Sequence, residues 1–177
     1  MKIENEDSIF KTGDAVIHPS LGAGIVIGLP NFLMQKENQQ YYKIKIIGKT
    51  KTTIMVPVKT ARKLGLRHAI SSLELESVWS VLSDSAKNLP DNNKERSQVL
   101  QDKVKLPEII TMAEIIRDLE WRKIHMGHLN STERGVYEFS MNMLAGEIAV
   151  SQDVEMQSAR NQIKNVLNVN FASIVTQ

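Results

Sequence analysis

Hydrophobic and polar positions follow two different rhythms along this chain. From Phe10 to Val58 the apolar residues tend to recur at every second position. In "YYKIKII", Tyr42, Ile44 and Ile46 share one face and Tyr41, Lys43 and Lys45 the other, the alternation of a half-buried strand. Ala15–Ile17, Ile25–Ile27 and Thr53–Val56 are further short β-rich runs. Turn residues separate them: Pro19-Ser20 with the glycines that follow, "NQQ", and Gly48. The longer "PNFLMQKENQQ" links two strands and is suited to extend them as a β-hairpin. Four or five short strands in about fifty residues predict a small, strongly bent barrel that closes over few core residues.

After Pro57 the period changes to that of helices. "KTARKLGL" reads as a short helix ended by Gly65. Ser71 and Glu74 have capping-box spacing, and the helix they open carries Leu75, Val78, Trp79 and Leu82 on one stripe. "KNLPDNN" breaks the pattern and predicts a hinge near 86–93. A polar helix follows from about Lys94 to Val104, and a stronger one opens at Pro107 with Ile109, Met112, Ala113, Ile116 and Leu119 as its core face. Gly127 ends it, Asn130 with Glu133 caps the next, and Ser151 with Asp153 and Glu155 is expected to open the last. The fold class is therefore α+β: a small SH3-like β-barrel over 8–70, followed by an all-α helical bundle over 71–169.

The stretch "GDAVIHPSLGAGIVIG" decides between two functions. Glycines one residue apart suit either a loop that cradles phosphate or a strand turn needing room or positive φ. A phosphate loop lies between a strand and a helix N-terminus, where free N–H groups meet the anion. Here Gly24 runs into Ile25-Val26-Ile27, a strand, and no Lys-Ser/Thr pair follows. The glycines are read as shaping a barrel.

Composition narrows the chemistry. The 177 residues contain no cysteine, which excludes disulfides, thiolate zinc sites and a thiol nucleophile. The N-terminus is too acidic for a signal peptide and no apolar run approaches a membrane span, so a soluble intracellular protein is expected. The net charge of +2 divides unevenly: 11 Lys and Arg against 7 Asp and Glu up to Ser83, then 11 against 13. With no block of like charge, any nucleic-acid contact has to be a local patch made by folding. His125 and His128 are three apart but Gly127 intervenes, and no carboxylate completes a metal set with them, His18 or His68. Glu114 and Asp118 are spaced as an acid–base pair, yet Arg117, Arg122 and Lys123 make helix-surface ion pairs the better account. The methionines of the helical half read as core filling, and Arg134, near a helix start against the dipole preference, as ligand-facing. No catalytic residue, metal or cofactor is expected. The charge-free "TTIMVPV" is a candidate open edge to which a partner's strand adds, although a core strand fits it equally.

Two segments resemble one known family. "FKTGDAVIHPSLGAGIVIGL", together with Val56, Pro57, Ala61, Gly65 and Arg67, is similar to the opening of the CarD/CdnL family of bacterial RNA-polymerase-binding transcription regulators. "AEIIRDLEWRK" and "LNSTERGVYEFSMNMLAGEIA" resemble that family's helical half, in the same order. The resemblance implies a Tudor-like barrel that docks on the RNA polymerase β subunit by strand addition, and a helical domain placed on promoter DNA, where it stabilises the open complex without an enzymatic step. It implies polymerase contacts at Phe32 and Met55, and with the charge-free run the candidate set is Phe32, Leu33, Thr53, Met55 and Val56. The family's DNA wedge, a tryptophan opening "W-x-R-R-Y", falls on Asn93, so the stretch here reads "NKERS". An inserted aromatic contributes about 1–3 kcal/mol by stacking, which asparagine cannot supply. Asn93, Lys94, Arg96, Lys103 and Arg134 are the candidate DNA contacts. The expected protein is a cytoplasmic monomer. The rival readings are a polymerase-tethered adaptor without wedge activity, a direct DNA or RNA binder independent of polymerase, and, last, a nucleotide enzyme at Gly22–Gly24.

Overall fold

The alternating segments become six strands: β1 (Ala15–His18), β2 (Gly22–Gly28), β3 (Asn31–Met34), β4 (Glu37–Ile46), β5 (Thr53–Pro57) and the two-residue β6 (Arg67–His68). The computed structural model describes residues 9–34, 37–48, 52–105 and 108–175. Every strand pairing in it is antiparallel, and the ladder runs β3-β4-β2-β1-β6 with β5 also on β4. Lys45 of β4 stands opposite both Ile25 of β2 and Thr53 of β5, so these two strands flank β4 on opposite edges. β3 pairs with the first residues of β4 as the expected hairpin.

The alternation sets the inside. Tyr42, Ile44 and Ile46 are buried with Phe10, Val16, Val26, Val56, Val58, Ala61 and Leu66. The Tyr42 hydroxyl accepts hydrogen bonds from the backbone N–H groups of Ile9 (2.9 Å) and Phe10 (3.3 Å), which satisfies it inside the core. The glycines divide the two roles open to them. Gly22 takes φ +87° at the turn into β2. Gly24 lies against β4 so closely that a Cβ would come within 2.6 Å of Ile44 Cγ2 and 2.9 Å of the Lys45 carbonyl oxygen. It runs on as strand, as expected.

Residues 58–65 form no α-helix. A 3₁₀ turn covers Val58–Thr60, and turns continue to Gly65 at φ +82°. Between Pro57 and Gly65 there are too few residues to repay helix nucleation, so the chain closes 3₁₀-type bonds and buries Ala61 and Leu66 instead.

A second compact unit starts at Ile70. It holds α1 (Ser72–Ser83), α2 (Asn93–Lys105), α3 (Ile109–Met126), α4 (Ser131–Gln152) and α5 (Met156–Val175). Complete capping boxes open α1 at Ser71/Glu74 and α4 at Asn130/Glu133. Gly127 closes α3 in the left-handed conformation. Pro107, the expected opening of α3, lies outside the described residues, and Glu108 is the N-cap without a side-chain bond. Ser151 does not open α5. It belongs to the last turn of α4, where its hydroxyl donates to the Ile70 carbonyl, and Asp153 ends that helix at φ +53°.

The 86–93 segment is hydrogen-bonded to its neighbours. The Lys87 backbone N–H donates to Asp118 Oδ1 (2.9 Å) and the carbonyls of Pro90 and Asp91 accept from Arg96 Nη1 (2.6 and 2.8 Å). Arg117 and Asp118 are themselves buried, paired at 2.7 Å, and Arg117 also donates to the Val81 carbonyl. The "RDL" motif thus clamps the end of α1 and the chain after it onto α3.

Candidate functional site

Two places bring the candidate residues together, one in each unit. In the barrel, β5 is hydrogen-bonded to β4 and, among the described residues, to no strand on its other side. Its outer row of N–H and C=O groups is the kind of edge to which a further strand adds. Register decides which side chains face out. Tyr42 and Ile44 are buried, so their partners Val56 and Ile54 point inward, and Thr53, Met55 and Pro57 point outward beside Lys45, Lys43 and Tyr41. Met55 is 38% exposed and Val56 only 4%. The Val56 side chain is a core residue, so of the candidate set it alone offers a partner no side chain. On the β3–β4 hairpin, Phe32 (48% exposed) and Leu33 (78%) stand free, and the Phe32 ring meets Tyr41 edge-on at 5.6 Å. Phe32, Tyr41 and Met55 lie on the outward face with the lysines of β4, and Leu33, the next residue along β3, is exposed on the other face of the hairpin.

In the helical unit the first turns of α2 and α4 adjoin. Asn92 caps α2 through its side-chain oxygen, which accepts from the backbone N–H groups of Lys94 and Glu95. The side-chain amide of Asn130, the N-cap of α4, donates to Asn93 Oδ1 at 2.9 Å. Beneath this bridge Arg96 Nε donates to Glu133 Oε1 at 2.5 Å, and Arg122 reaches the same oxygen at 3.2 Å. Burial alone would raise the Glu133 carboxyl. The Asn130 backbone N–H, the Arg96 hydrogen bond and the charges of Arg122 and Arg96 outweigh it and hold that carboxyl below its usual value.

This geometry revises the DNA-facing set. Arg96 is 4% exposed and committed to Glu133 and two carbonyls, so it is corrected from phosphate contact to internal brace. Lys103 is held by Glu114 at 3.1 Å, which also takes Lys87. Burial works to raise Glu114, but hydrogen bonds from Lys103 and Lys87 override it and lower its carboxyl. Asn93, Lys94 and Arg134 are exposed, with Arg134 making a 3.4 Å bond to the Leu129 carbonyl. Arg122, for which helix spacing predicts ordinary surface pairing, stands at the joined helix ends and keeps part of its surface open.

The other candidates are locally occupied. His125 and His128 face the backbone carbonyls of Trp121 and Met126 through Nδ1 at 2.9 and 3.1 Å. His18 Nδ1 accepts from the Ser20 N–H, and burial lowers its pKa. Among the described residues no three His, Asp or Glu side chains gather as a metal would require, and no helix is long and apolar enough to cross a membrane.

Residues 10–70 match the CarD-like/TRCF RID domain, and residues 77–164 match the CarD C-terminal domain. The chain belongs to the CarD-like family. The CarD-like chain is also similar to "Putative transcription factor YdeB" of Bacillus subtilis (strain 168), 28% identical over 148 residues, which covers 82% of this chain and 94% of that protein. In CarD-like terms, the RID match ends at Ile70, where the helical unit begins, and contains the open edge. The C-terminal match contains both joined helix ends.

Proposed function

We propose that this CarD-like chain is a cytoplasmic transcription regulator that docks on the β subunit of RNA polymerase and acts on promoter DNA through its helical unit, with no catalytic step. The carrying observation is the β5 edge, unpaired on one side among the described residues and bearing the exposed Met55. A strand of the β subunit adds there, its backbone bonds giving affinity and its alternate side chains meeting Met55 and the β3–β4 hairpin. At the helix ends, Lys94, Arg122 and Arg134 are the phosphate contacts and Asn93 faces the duplex. Each phosphate contact steepens the log–log salt dependence of DNA binding by about 0.9.

Binding of the full chain to the isolated β lobe tests the first half. Met55→Glu should weaken it by about tenfold or more, or ~1.4 kcal/mol, with unchanged thermal stability; an intact chain that does not bind the lobe refutes the reading. Promoter open-complex lifetime tests the second half, and Asn93→Trp should lengthen it by restoring a stacking surface. The burial of Arg96 favours one alternative, a polymerase-tethered adaptor that has given up DNA contact at this position. It predicts lobe binding with an open-complex lifetime indifferent to both the protein and Asn93→Trp.

A further inference from the structure

The two units carry opposite charge. Residues 1–69 hold 11 Lys and Arg against 5 Asp and Glu, and residues 70–177 hold 11 against 15. The helical unit, where the candidate DNA contacts lie, is thus the acidic one and the barrel unit the basic one. From Asn38 to Leu73 the chain has eight Lys and Arg and no Asp or Glu.

Folding gathers part of this surplus on one turn. Lys59, Arg62 and Lys63 are spaced i, i+3 and i+4, so the helical turns that follow β5 carry them on one side. Val58, Ala61 and Leu66 bury the other side in the barrel core. The backbone N–H groups of Leu64, Gly65 and Leu66 donate to the carbonyls of Thr60, Arg62 and Ala61 at 2.9, 2.9 and 3.0 Å, which fixes the turn. All three cationic side chains are exposed, and among the described residues none makes a hydrogen bond or an ion pair. Like charges at these spacings repel, so the trio is unfavourable by itself and is relieved by an anion.

We infer that this turn is a further contact for the phosphate backbone of duplex DNA, made by the barrel itself. The choice of DNA as the anion rests on the function proposed above; the patch does not. Nothing between Val58 and Arg67 is aromatic, so the turn offers no platform on which the bases of a single strand stack. Leu64 is its one exposed apolar side chain, too little to enter a membrane surface. Two of the three heads are lysine ammonium groups, point charges that hold phosphate without a fixed fork geometry. That suits contact with the backbone rather than with base edges.

Fluorescence anisotropy of the full chain on a labelled duplex, repeated across salt concentrations, tests this. Three phosphate contacts contribute about 2.7 to the log–log salt slope. Combining Lys59→Gln, Arg62→Gln and Lys63→Gln should remove about that much and weaken binding about tenfold or more at low salt. The melting temperature and binding to the β lobe should stay unchanged, because these side chains are exposed and lie outside the polymerase set. The charge-keeping combination Lys59→Arg, Arg62→Lys and Lys63→Arg should retain the slope. Lys94→Ala with Arg134→Ala reads the helical contacts separately. A slope lost there but kept in the glutamine variant overturns the inference and leaves the helical reading standing; the reverse pattern supports it and sinks the helical contacts. Tighter binding to a single strand or to phosphatidylserine vesicles than to the duplex, or loss of lobe binding in place of the slope, also overturns it.

Discussion

Arg96→Ala separates an internal brace from a surface cation. Arg96 and Glu133 are 4% and 2% exposed, and the substitution removes their 2.5 Å bond together with the two bonds that hold the Pro90 and Asp91 carbonyls. Breaking a buried ion pair by deleting one partner costs ~3–5 kcal/mol, because the survivor's charge is stranded. Arg122 still reaches Glu133 at 3.2 Å, so the survivor is not stranded entirely and the lower figure, ~3 kcal/mol, applies. For a unit near a hundred residues each kcal/mol moves the midpoint by about 4–8 °C, which gives a fall of about 12–24 °C. The assay is thermal unfolding followed by circular dichroism at neutral pH. Lys94→Ala, on an exposed side chain, serves as the control and should shift stability by no more than ~0.5 kcal/mol. A fall below about 3 °C for Arg96→Ala, with a shallower salt dependence of DNA binding, would refute the brace and return Arg96 to the phosphate contacts.

Gly24→Ala should destabilise the barrel by ~1–3 kcal/mol, because the added methyl meets the Lys45 carbonyl at 2.9 Å and Ile44 at 2.6 Å. Both tryptophans belong to the helical unit, so amide exchange of β2 and β4 should report the loss while tryptophan fluorescence does not. Acidification should weaken the helical unit first through Glu133 and Glu114. Their carboxyls are held below the ordinary value of 4.5, so the stability they contribute is complete above that pH and drains away as pH falls beneath it. Glu133→Gln should flatten the acid limb of a stability–pH curve; an unaltered limb would assign it elsewhere.

Legibility followed the range of the interaction that decides each residue. The "YYKIKII" alternation and the two capping boxes are written in near neighbours, and the observed burial and caps match them. The inward direction of Val56 was not legible, because it depends on the strand opposite. Its register with Tyr42 puts both inside, a parity available only once the loop between β4 and β5 is fixed. Arg96 failed for a different reason. α2 is polar on nearly every face, so periodicity could not say which charge turns inward; Glu133, thirty-seven residues on, makes that choice. The motif charges Arg117 and Asp118 carried a signal that went unused, since a charged pair flanked by Ile116 and Leu119 on a core helix has to be paired inside. The short run before Gly65 looked helical by composition, but chain length overruled propensity there.

β4 works as a strip with two independent alphabets. Tyr42, Ile44 and Ile46 spell out packing, while Tyr41, Lys43 and Lys45 face outward beside the open edge. Substitution at the outward letters therefore leaves the packing letters in place, so the surface beside the open edge can change its charge and shape without repacking the core.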